Sequence, residues 1–317
     1  MADVLWSGVD RLVDRATRLD DLYRHGLQLL TARRWRSLGR QLPQKLVASE
    51  QAAQLTIEQA GVVLERVRAA CRGPVVLLHG LEVASFYPDR TLRSFGDLDL
   101  LVEGAPAARQ ALLGAGFEPL DPRPDSPLLW AEQPVPVELF DRPTWVAGIQ
   151  PPSAATLLTY AQPSATGIPG ISALPPREHA LLVAANAWAH KPLRRASDLI
   201  DVAALTAGVD RLGLDALSQA WGLKRLWTTT IGAADALLSP GATPTSALRL
   251  WGRDVLELRG ERLGERLLRH WLSPFWALPA RDAARTVATT IAHDLRKEPG
   301  ESWNAKARRI RRGLTAS

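Results

Sequence analysis

The chain has 317 residues, 46% hydrophobic and 23% charged, the composition of a folded globular protein with one large or two moderate domains. No apolar run approaches the roughly 20 residues that span a bilayer, and the single Cys71 excludes an internal disulfide and any cysteine-based zinc cluster. The 39 Lys and Arg exceed the 33 Asp and Glu, giving a formal +6 that suits a phosphate-rich ligand without requiring nucleic acid. The start, MADVLWSGVDRLVDRATRLDDLYRHG, lacks the basic-then-apolar order and cleavage site of a secretory leader, so the expected location is cytoplasmic.

Val9, Leu12, Val13, Leu19, Leu22, Leu27, Leu29 and Leu30 recur at roughly i, i+3, i+4 spacing, which predicts one or two helices over residues 9–39. A further helix is predicted over Glu50 to Arg72, followed by a strand from Val75 to His79. Gly80 ends that strand, a short helix follows around Leu81 to Tyr87, and a second strand runs from Asp97 to Val102. Asp97 and Asp99 alternate there with Leu98 and Leu100, so both carboxylates project from one face. Two carboxylates so placed repel and lose hydration unless a cation or a network satisfies them. A hard divalent ion, Mg²⁺ or Mn²⁺, binds one or two carboxylates together with phosphate oxygens and resolves the conflict.

Ala105 to Ala115 reads as a helix closed by Gly116. Strands are predicted at Phe117–Leu120 and Leu128–Glu132, with a Pro-rich turn between them. In V-P-V-E-L-F, Val135 to Phe140, Glu138 sits between apolar Val137 and Leu139, as on a strand with one face toward a core or a site. Residues 141–176 hold seven Pro and read as a long connector or flap. The chain beyond is Ala/Leu-rich and helical, which places a boundary near Pro175-Pro176. The first helix of this half ends at His190, and Pro192 is predicted to start the next. Arg194 and Arg195 follow, with Asp198 at pairing distance along the helix. The eleven Trp are scattered at helical spacing and are explained by packing. Near the end, Lys306, Arg308, Arg309, Arg311 and Arg312 form a basic run that reads as a solvated end, with RNA or an acidic surface as the alternative.

The stretch from Val75 to Val102 resembles the signature of the DNA polymerase β-like nucleotidyltransferases: strand, Gly turn, helix, then a strand with two Asp separated by one apolar residue. It is similar in particular to an uncharacterised bacterial nucleotidyltransferase family, through Gly80, Leu81, Tyr87, Pro88, Asp89, Arg93, Gly96, Asp97, Asp99, Leu100, Leu101 and Val102. His79 stands where that family usually has Lys, and Leu81 where the wider superfamily has a second small residue. Glu138 takes the place of the family's third acid, with Phe140 for the usual His. The segment Leu181 to Leu205 resembles the family's second motif, His190 matching its helical His and Asp201 its Asp.

The resemblance spans about residues 75–207 and implies an α+β or α/β fold. A small mixed-sheet core at 74–175 would follow a helical segment at 1–73 and precede a helical domain with a basic tail at 176–317. It implies transfer of a nucleoside monophosphate from an NTP to an acceptor hydroxyl on a small molecule, sugar or peptide, with release of pyrophosphate. Asp97, Asp99 and Glu138 would be the catalytic and metal-binding residues, for Mg²⁺ with Mn²⁺ as a substitute. His79, Gly80, Arg93, Gly96, His190 and Arg194 would be nucleotide-binding, with Gly80 letting backbone approach the phosphates. Other classes are a catalytically weak nucleotide-binding maturation or regulatory partner, and a toxin-like enzyme that nucleotidylates tRNA. The run Pro74 to Gly80 also has the form of an α/β-hydrolase oxyanion strand. That fold needs a later G-x-S-x-G elbow, and Gly170-Ile171-Ser172 continues instead into Ala173-Leu174 and two Pro.

Overall fold

The computed structural model describes residues 2–120, 128–131 and 134–296, together with 302, 305 and 306. The fold is mixed α+β, an open seven-stranded mixed sheet with helices on both faces. Its strands are β1 (Val75–Leu77), β2 (Leu98–Val102), β3 (Glu118–Pro119), β4 (Leu128–Trp130), β5 (Val137–Phe140), β6 (Gln162–Pro163) and β7 (Ile171–Ala173). They lie in the order β3-β4-β5-β2-β1-β7-β6. Strands β1 and β2 are antiparallel, whereas β2 pairs with β5 and β1 with β7 in parallel.

Alternation along the central strands decides what each face meets. Val75, Leu77, Leu98, Leu100, Val137 and Leu139 bury one face against the helices Gln44–Ala70 and Ala105–Gly114. The opposite face is apolar only in part. Val76, Leu78 and Leu101 pack with Leu157, Leu174 and Leu182 from the helices Ala154–Tyr160 and Pro176–His190 and the chain between them. The remainder of that face carries the acids. A separate apolar cluster joins Val9, Leu12 and Leu27 near the chain start to Leu199, Leu226 and Trp251.

Several sequence expectations shift in the structure. The pattern over 9–39 forms three helices, Ala2–Arg15, Leu19–Arg24 and Gln28–Ser37. The second is followed by Gly26 at φ +72°, a left-handed backbone position that interrupts the run. The next helix starts at Gln44, six residues before Glu50, directly after Pro43. The Pro-rich stretch 141–176 is more than a connector: its end supplies β7, the parallel neighbour of β1. Pro192 does not start a helix; residues 191–195 form a turn, and the helix runs Ala196–Thr206. The predicted turn before Leu128, Glu132 and all of the basic run except Lys306 lie outside the described residues. Lys306 itself is buried rather than solvated.

Candidate active site

Asp97 immediately precedes β2 and Asp99 lies within it, so the two share the face that Leu101 continues. Glu138 on β5 is the direct register partner of Asp99. Parallel register places these two side chains next to each other on one side of the sheet. One carboxylate oxygen from each of Asp97, Asp99 and Glu138 lies within 4.8 Å of the others. Three half-buried acids, contributed by two adjacent strands, therefore converge on one point.

Electrostatics makes this arrangement costly when it is fully ionised. Two unit charges at that spacing repel by roughly 3 kcal/mol at the effective dielectric of a protein site. Burial, then the charges of Asp97 and Glu138, push the Asp99 carboxyl up to about 7, with Arg93 opposing. Burial also raises Asp97 and Glu138, the latter further because of Asp97. Among the described residues no Lys or Arg forms an ion pair with any of the three. The donor set, all hard oxygens with excess negative charge, fits one or two Mg²⁺ or Mn²⁺ ions.

Gly80 forms the floor between β1 and the short helix Leu81–Ala84. Its φ of +65° is one that residues with a Cβ rarely adopt, and a Cβ there would sit 2.8 Å from the Asp97 carbonyl oxygen. The glycine thus lets the turn lie directly against the acid strand. Gly80→Ala should destabilise the protein by about 1–3 kcal/mol and lower any activity that depends on Asp97. Equal stability of variant and wild type in a urea titration would remove this account of the turn.

Arg93 ties the site together. Its guanidinium donates to both carboxylate oxygens of Asp201, each at 2.9 Å, and to the Gly80 carbonyl at 3.0 Å. The Tyr87 hydroxyl donates to Asp201 at 2.7 Å. Burial works against the charge of Arg93, but Asp201 more than offsets it and holds the guanidinium above its ordinary value. Tyr87 and Arg93 come from the first sequence motif and Asp201 from the second, so one buried network joins the sheet to the helical half. This pairing was not legible from spacing, since Arg93 and Asp201 lie 108 residues apart.

The predicted nucleotide-binding residues line two adjoining chambers. The one over the acids, 380 Å³, is lined by His79, Gly80, Arg93, Gly96 and His190. Arg194 lies instead on the second, of 370 Å³, which His79, Arg93 and His190 also border. A Cβ at Gly96 would meet open space, so no packing contact demands glycine there. Burial, with help from His179, Arg93 and His190, holds His79 well below its ordinary value. It is neutral near pH 7 and does not replace the charge of a lysine. Sequence reasoning passed over Asn186, Thr144 and Phe95, which also border the acid chamber. It also passed over buried His179, whose Nε2 meets the Leu78 carbonyl and pins the helix Pro176–His190 to the end of β1. A His within a mostly apolar helix gave no sign of that role.

The family described as "Uncharacterised nucleotidyltransferase" matches residues 14–239. The chain belongs to this nucleotidyltransferase family. No curated protein and no solved structure matches it. The matched span includes the acid strand, Glu138, His190 and Asp201, and begins well before the Gly80 turn. Among the described residues no helix is long and apolar enough to cross a membrane.

Proposed function

We propose that the protein moves a nucleoside monophosphate from an NTP to an acceptor hydroxyl, using Asp97, Asp99 and Glu138 as a Mg²⁺ site with Mn²⁺ as a substitute. The convergence of these three acids within 4.8 Å, in a chain of nucleotidyltransferase family, is the observation that carries this reading. Bound divalent metal would neutralise phosphate charge and acidify the acceptor hydroxyl. Asp97 and Asp99 hold the nucleotide end of the site. Glu138 orients the acceptor oxygen and accepts its proton, which then passes to solvent. The acceptor oxygen forms a bond to the α-phosphorus, the bond from that phosphorus to the bridging oxygen breaks, and pyrophosphate leaves with the electron pair. Positioning and charge neutralisation supply most of the rate in such chemistry, and no covalent enzyme intermediate is needed.

The Gly80 turn and Gly96 give backbone access to the phosphates beside Asp97, while Arg93 adds positive potential from its place on Asp201. The expected setting is the cytoplasm, where NTP and Mg²⁺ are plentiful. The division into a helical segment at 1–73, a sheet-bearing core at 74–175 and a helical part at 176–317 assigns the acids to the core and His190 to the wall facing them. Neutral His79, in the position where a lysine is usual, favours a second reading in which the site senses a nucleotide for a partner protein.

Metal linkage tests the assignment. Mg²⁺ with an NTP should raise the melting temperature, as any ligand specific to the folded state does. Replacing both Asp97 and Asp99 by Asn should abolish that rise without loss of fold. A rise of equal size in the double variant would move the metal elsewhere.

A further inference from the structure

The acid chamber has a further neighbour on the side toward the start of the chain. Arg93, Ser94 and Phe95 border the acid chamber and also a cavity of 170 Å³. The helices Gln28–Ser37 and Gln44–Ala70 supply the rest of that cavity's wall: Gln28, Leu29, Ser49, Ala52, Ala53 and Thr56. The last four recur at i, i+3, i+4 and i+7, so they share one face of their helix, and their small side chains leave the space open. Both helices also pack on the turn Arg90–Leu92, which leads the chain into Ser94 and Phe95. The Gln28 amide Nε2 donates to the Ser94 hydroxyl at 3.2 Å. The N-terminal helices therefore reach the edge of the acid site.

The order of strands decides which end of the reaction this cavity serves. β2 lies between β5 and β1, so Glu138 stands on one side of the two Asp and Gly80, at the end of β1, on the other. Phe95 is at the Gly80 end, where its Cδ2 lies 3.4 Å from the place a Gly80 Cβ would take. None of Glu138, Phe140 and Thr144, which line the acid chamber, borders the cavity. It opens beside the nucleotide end, away from the acceptor's carboxylate.

The chemistry of the wall points the same way. Its one charge, Arg93, is held by Asp201, and every other polar side chain there is an amide or a hydroxyl. These stand among Leu29, two alanines and the half-buried ring of Phe95. An apolar wall with one aromatic ring and a few neutral donors and acceptors matches a flat, uncharged heterocycle and gives a phosphate little to bind. The cavity is less than half the size of the 380 Å³ acid chamber, so it admits one ring system and leaves the sugar and phosphates outside.

We propose that this cavity receives the base of the NTP, with the ring stacked on Phe95 and its edge meeting Gln28, while the triphosphate lies over Gly80 and the acids. The N-terminal helices would then choose the nucleotide, a task the acid chamber leaves open. The proposal rests on the nucleotidyl-transfer reading, which supplies the nucleotide.

The test uses the full chain, Mg²⁺, a non-hydrolysable analogue of each of the common NTPs, and inorganic tripolyphosphate as a probe without a base. In calorimetry the best analogue should bind wild type at least about 10-fold more tightly than tripolyphosphate, since base stacking on an aromatic ring contributes that much or more. Ala52→Phe fills the cavity from an exposed position and leaves the core alone. Its analogue affinity should fall at least about 10-fold toward that of tripolyphosphate, whose own affinity should change less than about twofold. Phe95→Leu, which removes the ring, should show the same split. In Gln28→Leu the ranking of the analogues should change. Analogue affinity unchanged in Ala52→Phe and Phe95→Leu overturns the proposal, as does an equal loss of analogue and tripolyphosphate. Wild type that binds tripolyphosphate as tightly as every analogue overturns it too, because the base then makes no contact. Failure of every analogue to bind wild type refutes nucleotidyl transfer and the base site together, whereas tight binding that ignores the variants refutes the base site alone.

Discussion

Glu138→Gln should lower pyrophosphate release by at least about 10²-fold while Mg²⁺-dependent NTP binding should persist. The substitution keeps the shape of the side chain and one oxygen, so packing beside Asp99 on β2 is preserved. It removes the negative charge and the basic oxygen that would receive the acceptor's proton in the proposed reaction, both of which would matter most as the new bond forms. Asp97 and Asp99 would still be there to hold the nucleotide end. A measured loss in binding equal to the loss in turnover would make Glu138 a nucleotide ligand instead. Wild-type binding with no acceptor labelled in any lysate fraction would favour the sensing role.

The same carboxyls predict how the metal-free protein responds to pH. Asp99 ionises at its ordinary 3.8 when unfolded and near 7 when folded, so between these values the folded state holds the extra proton. Stability is full below the unfolded value and is lost as pH rises toward 7, at roughly 1.4 kcal/mol per unit of separation. Asp97 and Glu138 are raised in the same direction and share the effect. Mg²⁺ should reverse the decline, because its affinity grows as the carboxyls lose protons. In Asp99→Asn the fall between pH 4 and 7 should flatten, and a slope unchanged from wild type would locate the titrating group elsewhere.

Much of this site could be read from short-range pattern. The alternation of Asp97 and Asp99 with leucines fixes a common face because strand side chains have a period of two. Glu138 showed the same alternation, but only the parallel pairing of β2 with β5 in the structure brings it opposite Asp99. Spacing carries no information about which strands pair. For the same reason β7 was hidden: Ile171–Ala173 is too short and too closely bounded by Pro to stand out, and its strand identity comes from β1 beside it. The error at Pro192 has a different origin. Proline is tolerated at the first position of a helix, yet buried Leu193 stands next to it at φ +49°, a left-handed position that a helix start cannot contain. Arg194 and Arg195 consequently leave the helix and border the cleft.

The Arg93–Asp201 pair should prove the most sensitive contact outside the acids. Its side chains are only 14% and 8% exposed, so each charge depends on the other for the solvation it has lost. Arg93→Met leaves Asp201 buried with the Tyr87 hydroxyl alone and should cost about 3–5 kcal/mol. Asp201→Leu should cost a similar amount, by leaving Arg93 with the Gly80 carbonyl as its remaining bond. The triple variant Arg93→Met/Asp201→Leu/Tyr87→Phe removes every charge and hydroxyl together, and apolar replacement of a whole buried network is often nearly neutral. It should therefore regain most of the lost stability in chemical denaturation. Nucleotidyl transfer should not return with it, because the Gly80 carbonyl then keeps only the Ala84 amide at 3.2 Å and the charge of Arg93 near the acids is gone. Recovery of stability and activity together would reduce the network to packing. Single variants costing under about 1 kcal/mol would show that water reaches the pair and that the two sequence motifs fold without it.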